Sequence, residues 1–242
     1  MRKILVTGAG GFVGARILDQ WRGRYELCTF PHGFSADSDE AAVRALIARE
    51  KPDVIVHTAA LSNTAYCASH PEESLRANVL LPEWIAKAAA ETGAKLLAFS
   101  SDQVYAGCKE SGPLPETISL FPANVYGCHK LEAEQRVLAI NPDAVLLRAA
   151  WMYDFPGYRL PIRGNLPLNL LSAAKTGTVL HFSEQDFRGV SYVREVIDKL
   201  IPAMELPGGV YNFGSGNDCD MFETVSRFAQ FLRSEEHTSE LQ

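Results

Sequence analysis

The chain has 242 residues, a formal net charge of −6, 47% hydrophobic and 21% charged residues. That is room for one full α/β domain and a small appendage, with the balance of a soluble globular protein. The acidic balance excludes wholesale nucleic-acid binding, and no apolar run is long enough to span a membrane.

The first element is the most informative. Lys3 to Gly14 read KILVTGAGGFVG, an apolar strand (Ile4–Thr7) that breaks into glycines and opens a helix (Phe12–Trp21). The MRK-ILV start resembles a leader, but its apolar stretch dissolves at once into glycines, so it reads as a strand. Gly8, Gly11 and Gly14 suit a tight turn, close approach of backbone to a pyrophosphate, and close helix–strand packing. The helix N-terminus adds unpaired N–H groups and partial positive charge, so dinucleotide binding is expected.

Strand and helix signals then alternate. A strand is expected over Tyr25–Phe30 and a helix over Glu40–Glu50, whose Ala42, Val43, Leu46 and Ile47 form an apolar stripe. Val54–His57 reads as a strand and Pro71–Glu91 as a long helix broken or kinked at Pro82. Lys95–Ser100 is a strand, Tyr126–Leu138 a helix and Ala144–Leu147 a strand. Short apolar strands separated by helices predict an α/β fold with a doubly wound parallel sheet over residues 1–150. Ligands of such sheets bind beyond the carboxyl ends of the strands.

After Arg148 the pattern loosens into prolines and glycines. A helix is expected near Leu168–Lys175, strands near Val179–Phe182 and Val210–Asn212, and helices over Val193–Met204 and Phe222–Leu232. Residues 151–232 are read as a small substrate-facing lobe interleaved with the sheet. The last ten residues, RSEEHTSELQ, break the apolar helix pattern and match the in-frame translation of a common sequencing-adapter oligonucleotide. We expect the natural chain to depart from this sequence near Leu232 and set 233–242 aside as a non-native tail. The five cysteines (Cys28, Cys67, Cys108, Cys128, Cys219) show neither a CxxC pair nor metal-ligand spacing. No metal site is expected, and free thiols point to a reducing cytoplasm.

The chemistry is expected after the fourth strand, which runs into Ser100-Ser101-Asp102-Gln103. Tyr126 and Lys130 follow in a YxxxK pair, on one helix face and one turn apart. A free phenol titrates near pH ~10, and bringing it close to neutrality takes roughly 4 kcal/mol of differential stabilisation. Lys130 and a cationic nicotinamide are expected to supply it, so that Tyr126 works as general acid in carbonyl reduction and as base in reverse. Ser101 would hydrogen-bond the same carbonyl oxygen, and Lys130 would also bind the nicotinamide ribose hydroxyls. His57 reads as a capped strand residue, Trp84 as helix packing, and the role of Asp102 stays open.

TGAGGFVG, HTAA at residues 57–60, SSDQVY at 100–105 and YGCHK at 126–130 give the chain a likeness to a known family. It resembles the extended short-chain dehydrogenase/reductases, which have the Rossmann fold. LRAAWMY (Leu147 to Tyr153) is similar to the Arg-x-x-Trp-x-Tyr pattern of their dTDP-4-dehydrorhamnose reductase branch, and PDVIVHTAA and Asn78 also fit. The resemblance implies that Gly8, Gly11 and Gly14 bind the pyrophosphate, with backbone contacts from Phe12 and Val13. It implies that Ala59 and Ala60 line the adenosine side, and that Ser101, Tyr126 and Lys130 form the catalytic set. Trp151 would face the sugar or nicotinamide, and Asn165 and Arg188 the nucleotide part of the substrate. Gln103 stands where that branch has a tyrosine near the sugar, so the sugar is left open. The branch continues past the point where this chain meets its tail, so part of the lobe is expected to be absent.

The expected activity is NAD(P)H-dependent reduction of a 4-keto nucleotide sugar in the cytoplasm. The strand Tyr25–Phe30 ends without an acid to repel a 2′-phosphate, and His32 is near enough in sequence to meet one, which favours NADP(H) over NAD(H). The expected partner is the nucleotide sugar, with no nucleic acid and no membrane, and a homodimer is compatible with this. Two alternatives stay open: an epimerase or dehydratase that retains its NAD, and a non-catalytic, cofactor-binding regulatory subunit.

Overall fold

The structure is a computed structural model that describes residues 1–31, 33–34, 38–110, 112–157, 159–162 and 164–239, with 233–239 described by their backbone. His32 lies outside the described residues.

The chain divides into two units, Met1–Ala149 with Ile197–Phe213, and Ala150–Val196 with Gly214–Gln242. The first is built on six strands: β1 (Lys3–Thr7), β2 (Glu26–Thr29), β3 (Val54–His57), β4 (Lys95–Ser101), β5 (Val145–Ala149) and β8 (Gly209–Phe213). They lie in the order β2-β1-β3-β4-β5-β8, every pair parallel. Each residue of β3 and β5 is buried, as are Ile4–Thr7 of β1. That is the signature of a parallel sheet covered on both faces, and it is why these segments read as unbroken apolar runs.

From β1 the chain moves outward to β2 and then returns to place β3 on the opposite side of β1. The strand order reverses there, where α/β sheets open a ligand crevice. The register pairs Thr7 with His57 and His57 with Ala98, so β4 runs on through Phe99, Ser100 and Ser101 beyond the shared carboxyl edge. One layer of the core joins Leu5, Ile55, Leu96 and Leu146 of the sheet to Val43, Leu46 and Ile47 of α2 (Glu40–Glu50) and to Leu81 and Ile85.

The helix α1 (Phe12–Trp21) starts where its glycines allow. Gly8 has φ +68°, and a Cβ on Gly14 would lie 2.3 Å from the Gly8 carbonyl oxygen. The expected long helix is three pieces in one path: α4 (Pro71–Leu75), a π turn (Arg76–Leu80) and α5 (Leu81–Thr92). The Leu81 N–H reaches back to the Arg76 carbonyl. The irregularity therefore falls before Pro82, which sits in the first turn of α5, where no N–H is required. Ahead of these pieces lies a short helix absent from the sequence reading, α3 (Thr64–Ser69), started by the Asn63 side chain accepting from the Tyr66 N–H. The helix α6 (Val125–Ile140) follows β4.

The second unit holds β6 (Trp151–Tyr153) paired in parallel with β7 (Val190–Tyr192), and α7 (Leu166–Thr176). The helix α8 (Val193–Ala203) leads back to the first unit, and α9 (Met221–Ser239) closes the second, its backbone running into the terminal decapeptide. Leu166, Met221 and Val225 form its small core with Leu170, Phe182, Val190 and Phe228 against it. The strand expected at Val179–Phe182 is not formed. Phe182 packs on this core while Val179 is exposed, and among the described residues no neighbouring strand supplies a ladder. The three-residue strands β6 and β7 are too short to show alternation in sequence. All five cysteines are free thiols.

Gly14 and Gly10 separate steric need from mere glycine content. Gly14→Ala drives a methyl into backbone and should cost about 1–3 kcal/mol. Gly10→Ala, with nothing within 4 Å of its Cβ, should change stability by less than about 0.5 kcal/mol. Urea unfolding of the two variants measures both; equal losses would refute the packing assigned to this loop.

Candidate active site

Thr7 ends β1, and its hydroxyl oxygen accepts from the N–H groups of Thr58 (3.2 Å) and Ala59 (3.3 Å). The Thr58 hydroxyl donates to the Thr7 carbonyl at 2.7 Å. The chain leaving β3 is thereby bound to the chain leaving β1. A Cβ on Gly8 would lie 2.7 Å from the Ala59 nitrogen, so the loop sits directly on Ala59. Gly11 donates its N–H to the Gly8 carbonyl (2.8 Å) and is the N-cap of α1. No side chain caps that helix and its first turn carries no acid, which leaves the start of Phe12, Val13 and Gly14 suited to an anion. These residues fit a dinucleotide pyrophosphate. Phe12, Val13 and Ala59 are half-buried beside the loop, and Ala60 is exposed.

Beyond the sheet edge, three successive residues of β4 meet three side chains of α6. The Lys130 ammonium donates to the Phe99 carbonyl at 2.6 Å. The Ser100 hydroxyl donates to Glu134 at 2.5 Å; the Ser101 hydroxyl donates to Asp102 at 3.2 Å and acts on the Tyr126 phenol, whose pKa it pulls down. Tyr126, Lys130 and Glu134 are spaced i, i+4, i+8 on one helical stripe and are all buried. Helix α6 is aimed by its cap. The Asn124 side chain accepts from the Gly127 N–H at 2.8 Å and donates to the Gln103 side chain at 3.1 Å. Gly127 lets the helix press on the Gln103 carbonyl, which a Cβ there would approach to 2.3 Å. The Asp102–Tyr105 turn is a 3-10 helix capped by Ser101, whose oxygen accepts from the Gln103 N–H.

Burial governs the electrostatics. The Tyr126 phenol is pushed up to about 12, by desolvation first; its bond to Ser101 pulls the other way, while Asp102 and Cys67 add to the rise. Lys130 is not among the groups that act on this phenol, and its ammonium donates to the Phe99 carbonyl. Lys130 is lowered to about 8 by burial, with the Glu134 carboxylate opposing the fall. His57 is lowered to about 3, again by burial and then by the Lys130 charge. Its Nδ1 lies 2.7 Å from the Thr7 hydroxyl, whose oxygen already accepts from two N–H groups. The Thr7 proton therefore goes to Nδ1, and the ring proton sits on Nε2, which has no partner among the described residues.

The remaining candidates divide between the units. Gln103 belongs to the first, its side chain tied to Asn124. In the second, the Arg188 guanidinium stacks over the Trp151 ring at 4.7 Å and pairs with Asp186 at 2.8 Å. Asn165 caps α7 by accepting from the Leu168 N–H, and donates to the Asp154 carbonyl. Sequence reasoning missed Glu134 and Arg148, which form a buried ion pair at 2.8 Å. Arg148 also donates to the Tyr105 hydroxyl, which donates to Asn212 on β8, both at 2.7 Å. The available signals were a second i+4 step beyond Lys130 and a cation near the end of an apolar strand.

The model of the RmlD substrate binding domain family matches residues 1–241. The chain belongs to this family. It is 35% identical over 153 residues to a dTDP-4-dehydrorhamnose reductase of Mycolicibacterium smegmatis, covering 63% of this chain and 46% of that one. It is 37% identical over 161 residues to the methionine adenosyltransferase 2 subunit beta of Xenopus laevis, covering 63% and 47%. These two matches thus span about half of each relative's own length. The fold is shared with a dTDP-4-dehydrorhamnose reductase from Bacillus anthracis solved in complex with NADP (TM-score 0.83, 21% identity, 96% of this chain and 82% of that chain). Among the described residues, no helix is long and apolar enough to cross a membrane.

His57 makes the site sensitive to acid. Its folded pKa is depressed, so its share of stability is complete above the unfolded value of about 6.5 and is lost as pH falls towards 3. The stability difference between the native chain and His57→Gln should fall by about 1.4 kcal/mol per pH unit over that window, measured by urea unfolding. Parallel curves for the two proteins would rule out a buried neutral imidazole.

Proposed function

We infer that this protein reduces the 4-keto group of a nucleotide sugar at the expense of NAD(P)H. The observation that carries the reading is the Ser101–Tyr126–Lys130 arrangement on the carboxyl edge of β4, in a chain of the RmlD family. A bound, reduced nicotinamide supplies the hydride. The residues of the glycine turn and the start of α1 would hold its pyrophosphate, and Lys130 its ribose hydroxyls. Tyr126, pushed up to about 12, is a neutral phenol at pH 7 and can donate its proton to the carbonyl oxygen. Ser101 hydrogen-bonds that same oxygen and holds it in line with the phenol. Water is kept from the acid by burial of the Tyr126 side chain.

NADP(H) is the favoured form, because β2 ends at Thr29 and continues to Phe30 and Pro31 without an acid to repel a 2′-phosphate. We assign Asn165 and Arg188 to the nucleotide part of the substrate, Trp151 to the sugar or nicotinamide, and Gln103 to the sugar. Free cysteines are in keeping with a cytoplasmic setting, and a homodimer is compatible with the reading. The Xenopus relatives favour a second reading, a regulatory subunit that keeps the cofactor fold without turnover.

Spectrophotometric assay with NADPH, NADH and dTDP-4-dehydrorhamnose tests the first reading. Oxidation of NADPH is expected, with Tyr126→Phe slower by about 10²–10⁴-fold while cofactor affinity is kept. A folded chain that binds cofactor and oxidises none of it favours the regulatory reading, and tightly retained NAD with no net consumption favours an epimerase.

A further inference from the structure

Glu134 lies outside the residues just given chemical roles, yet it occupies the third place on their helical stripe. Its carboxylate is buried with only 3% of the residue exposed. It accepts from Ser100 at 2.5 Å and takes a two-pronged contact from Arg148, whose Nη2 and Nε lie 2.8 and 3.1 Å from its two oxygens. Arg148 is fastened in turn to Tyr105 and to the Glu116 carbonyl. The carboxylate thus has a fixed position one helical turn past Lys130.

Lys130 needs such a neighbour. It is 3% exposed, and its ammonium has a carbonyl, not a carboxylate, as hydrogen-bond partner. An ammonium in that setting is costly to keep charged. The groups that face it are few. From β3 comes His57, neutral at pH 7 and repelling if charged; from β4 the Phe99 carbonyl; and from α6 itself the Glu134 carboxylate, whose ion-pair partner Arg148 on β5 is the other cation nearby. Asp102 and Cys67 act on Tyr126 and are not among the charges resolved at Lys130.

We propose that Glu134, clamped between Arg148 and Ser100, is a positioning residue that keeps Lys130 an ammonium seated on the Phe99 carbonyl. This deepens the reductase reading and rests on it for its meaning in turnover. Burial alone takes Lys130 down, and Glu134 is the charge that opposes the fall, leaving it at about 8. The ammonium is the form that donates to ribose hydroxyls, so its loss sets the alkaline limit of activity. Arg148 holds Glu134 in place, so that the carboxylate is aimed by a strand and not by a flexible helix surface.

The test is a titration of the cofactor-free chain carrying ¹³C-lysine, following the Lys130 Cε signal, identified by its loss in Lys130→Met. The native midpoint is expected near pH 8. In Glu134→Gln it should fall by about one pH unit, a tenfold loss of proton affinity. Glu134→Asp should recover most of that shift. Arg148→Met, which removes the clamp but keeps the carboxylate, should lower the melting temperature without lowering the midpoint. Should Glu134→Gln alone fail to fold around an unpaired Arg148, the Glu134→Gln/Arg148→Met double variant is titrated instead, with the same downward shift expected. In turnover, the alkaline limb of kcat should move down by the same interval. A Lys130 midpoint unchanged in the folded Glu134→Gln or double variant, with only melting temperature lowered, overturns the proposal and makes the pair a structural strut. The titration involves no substrate, so this result is separable from any failure of the reductase reading.

Discussion

A buried ammonium at the carboxyl edge of a parallel sheet is the constraint on which the site depends. Lys130 is out of water, so every group near it either satisfies or tolerates its charge: the Phe99 carbonyl accepts from it, the Glu134 carboxylate opposes its loss, and His57 stays neutral. The sheet register makes this possible. Thr7, His57 and Ala98 lie side by side across β1, β3 and β4, so the glycine turn starts level with the buried imidazole, while β4 carries the serine pair two and three residues further on. The hydrogen bonds of Thr7 join the imidazole to that turn, and the charge of Lys130 joins it to α6.

The helix answers with its own periodicity. Strand residues 99–101 are consecutive, while their partners on α6 are spaced by four, because a helix crossing a strand end presents one side chain per turn. The partners run Lys130, Glu134, Tyr126, out of chain order, the first of them bonded to a backbone carbonyl and not to a side chain. The Asn124 cap and the absent Cβ of Gly127 fix where the stripe begins.

Much of this is legible in the sequence, and the limits have physical causes. Phe12–Trp21, Glu40–Glu50 and Val54–His57 are read to the residue because glycines open the first helix, the Ala42, Val43, Leu46 and Ile47 stripe marks the second, and β3 is an apolar run closed by His57. The π turn at Arg76–Leu80 is hidden, since Pro82 draws the eye to a break that falls just upstream. Strands of three residues, Trp151–Tyr153 and Val190–Tyr192, have too little alternation to read, whereas Val179–Phe182 has strand-like residues and lacks a partner among the described residues. At the site, spacing reveals the Tyr126–Lys130 stripe but not the direction of the phenol's shift. That direction is set first by burial, which is not a property of spacing.

Members of one fold family carry different functions on the same scaffold, as the reductase and the methionine adenosyltransferase subunit among the relatives illustrate. Chemistry at Tyr126 is what separates those readings. The most direct measurement follows deuterium from C4-labelled NADPH by NMR during turnover of dTDP-4-dehydrorhamnose. The account predicts one deuterium at C4 of the sugar for each cofactor oxidised; a sugar product without that label, or no transfer by a folded chain that binds the cofactor, would contradict it.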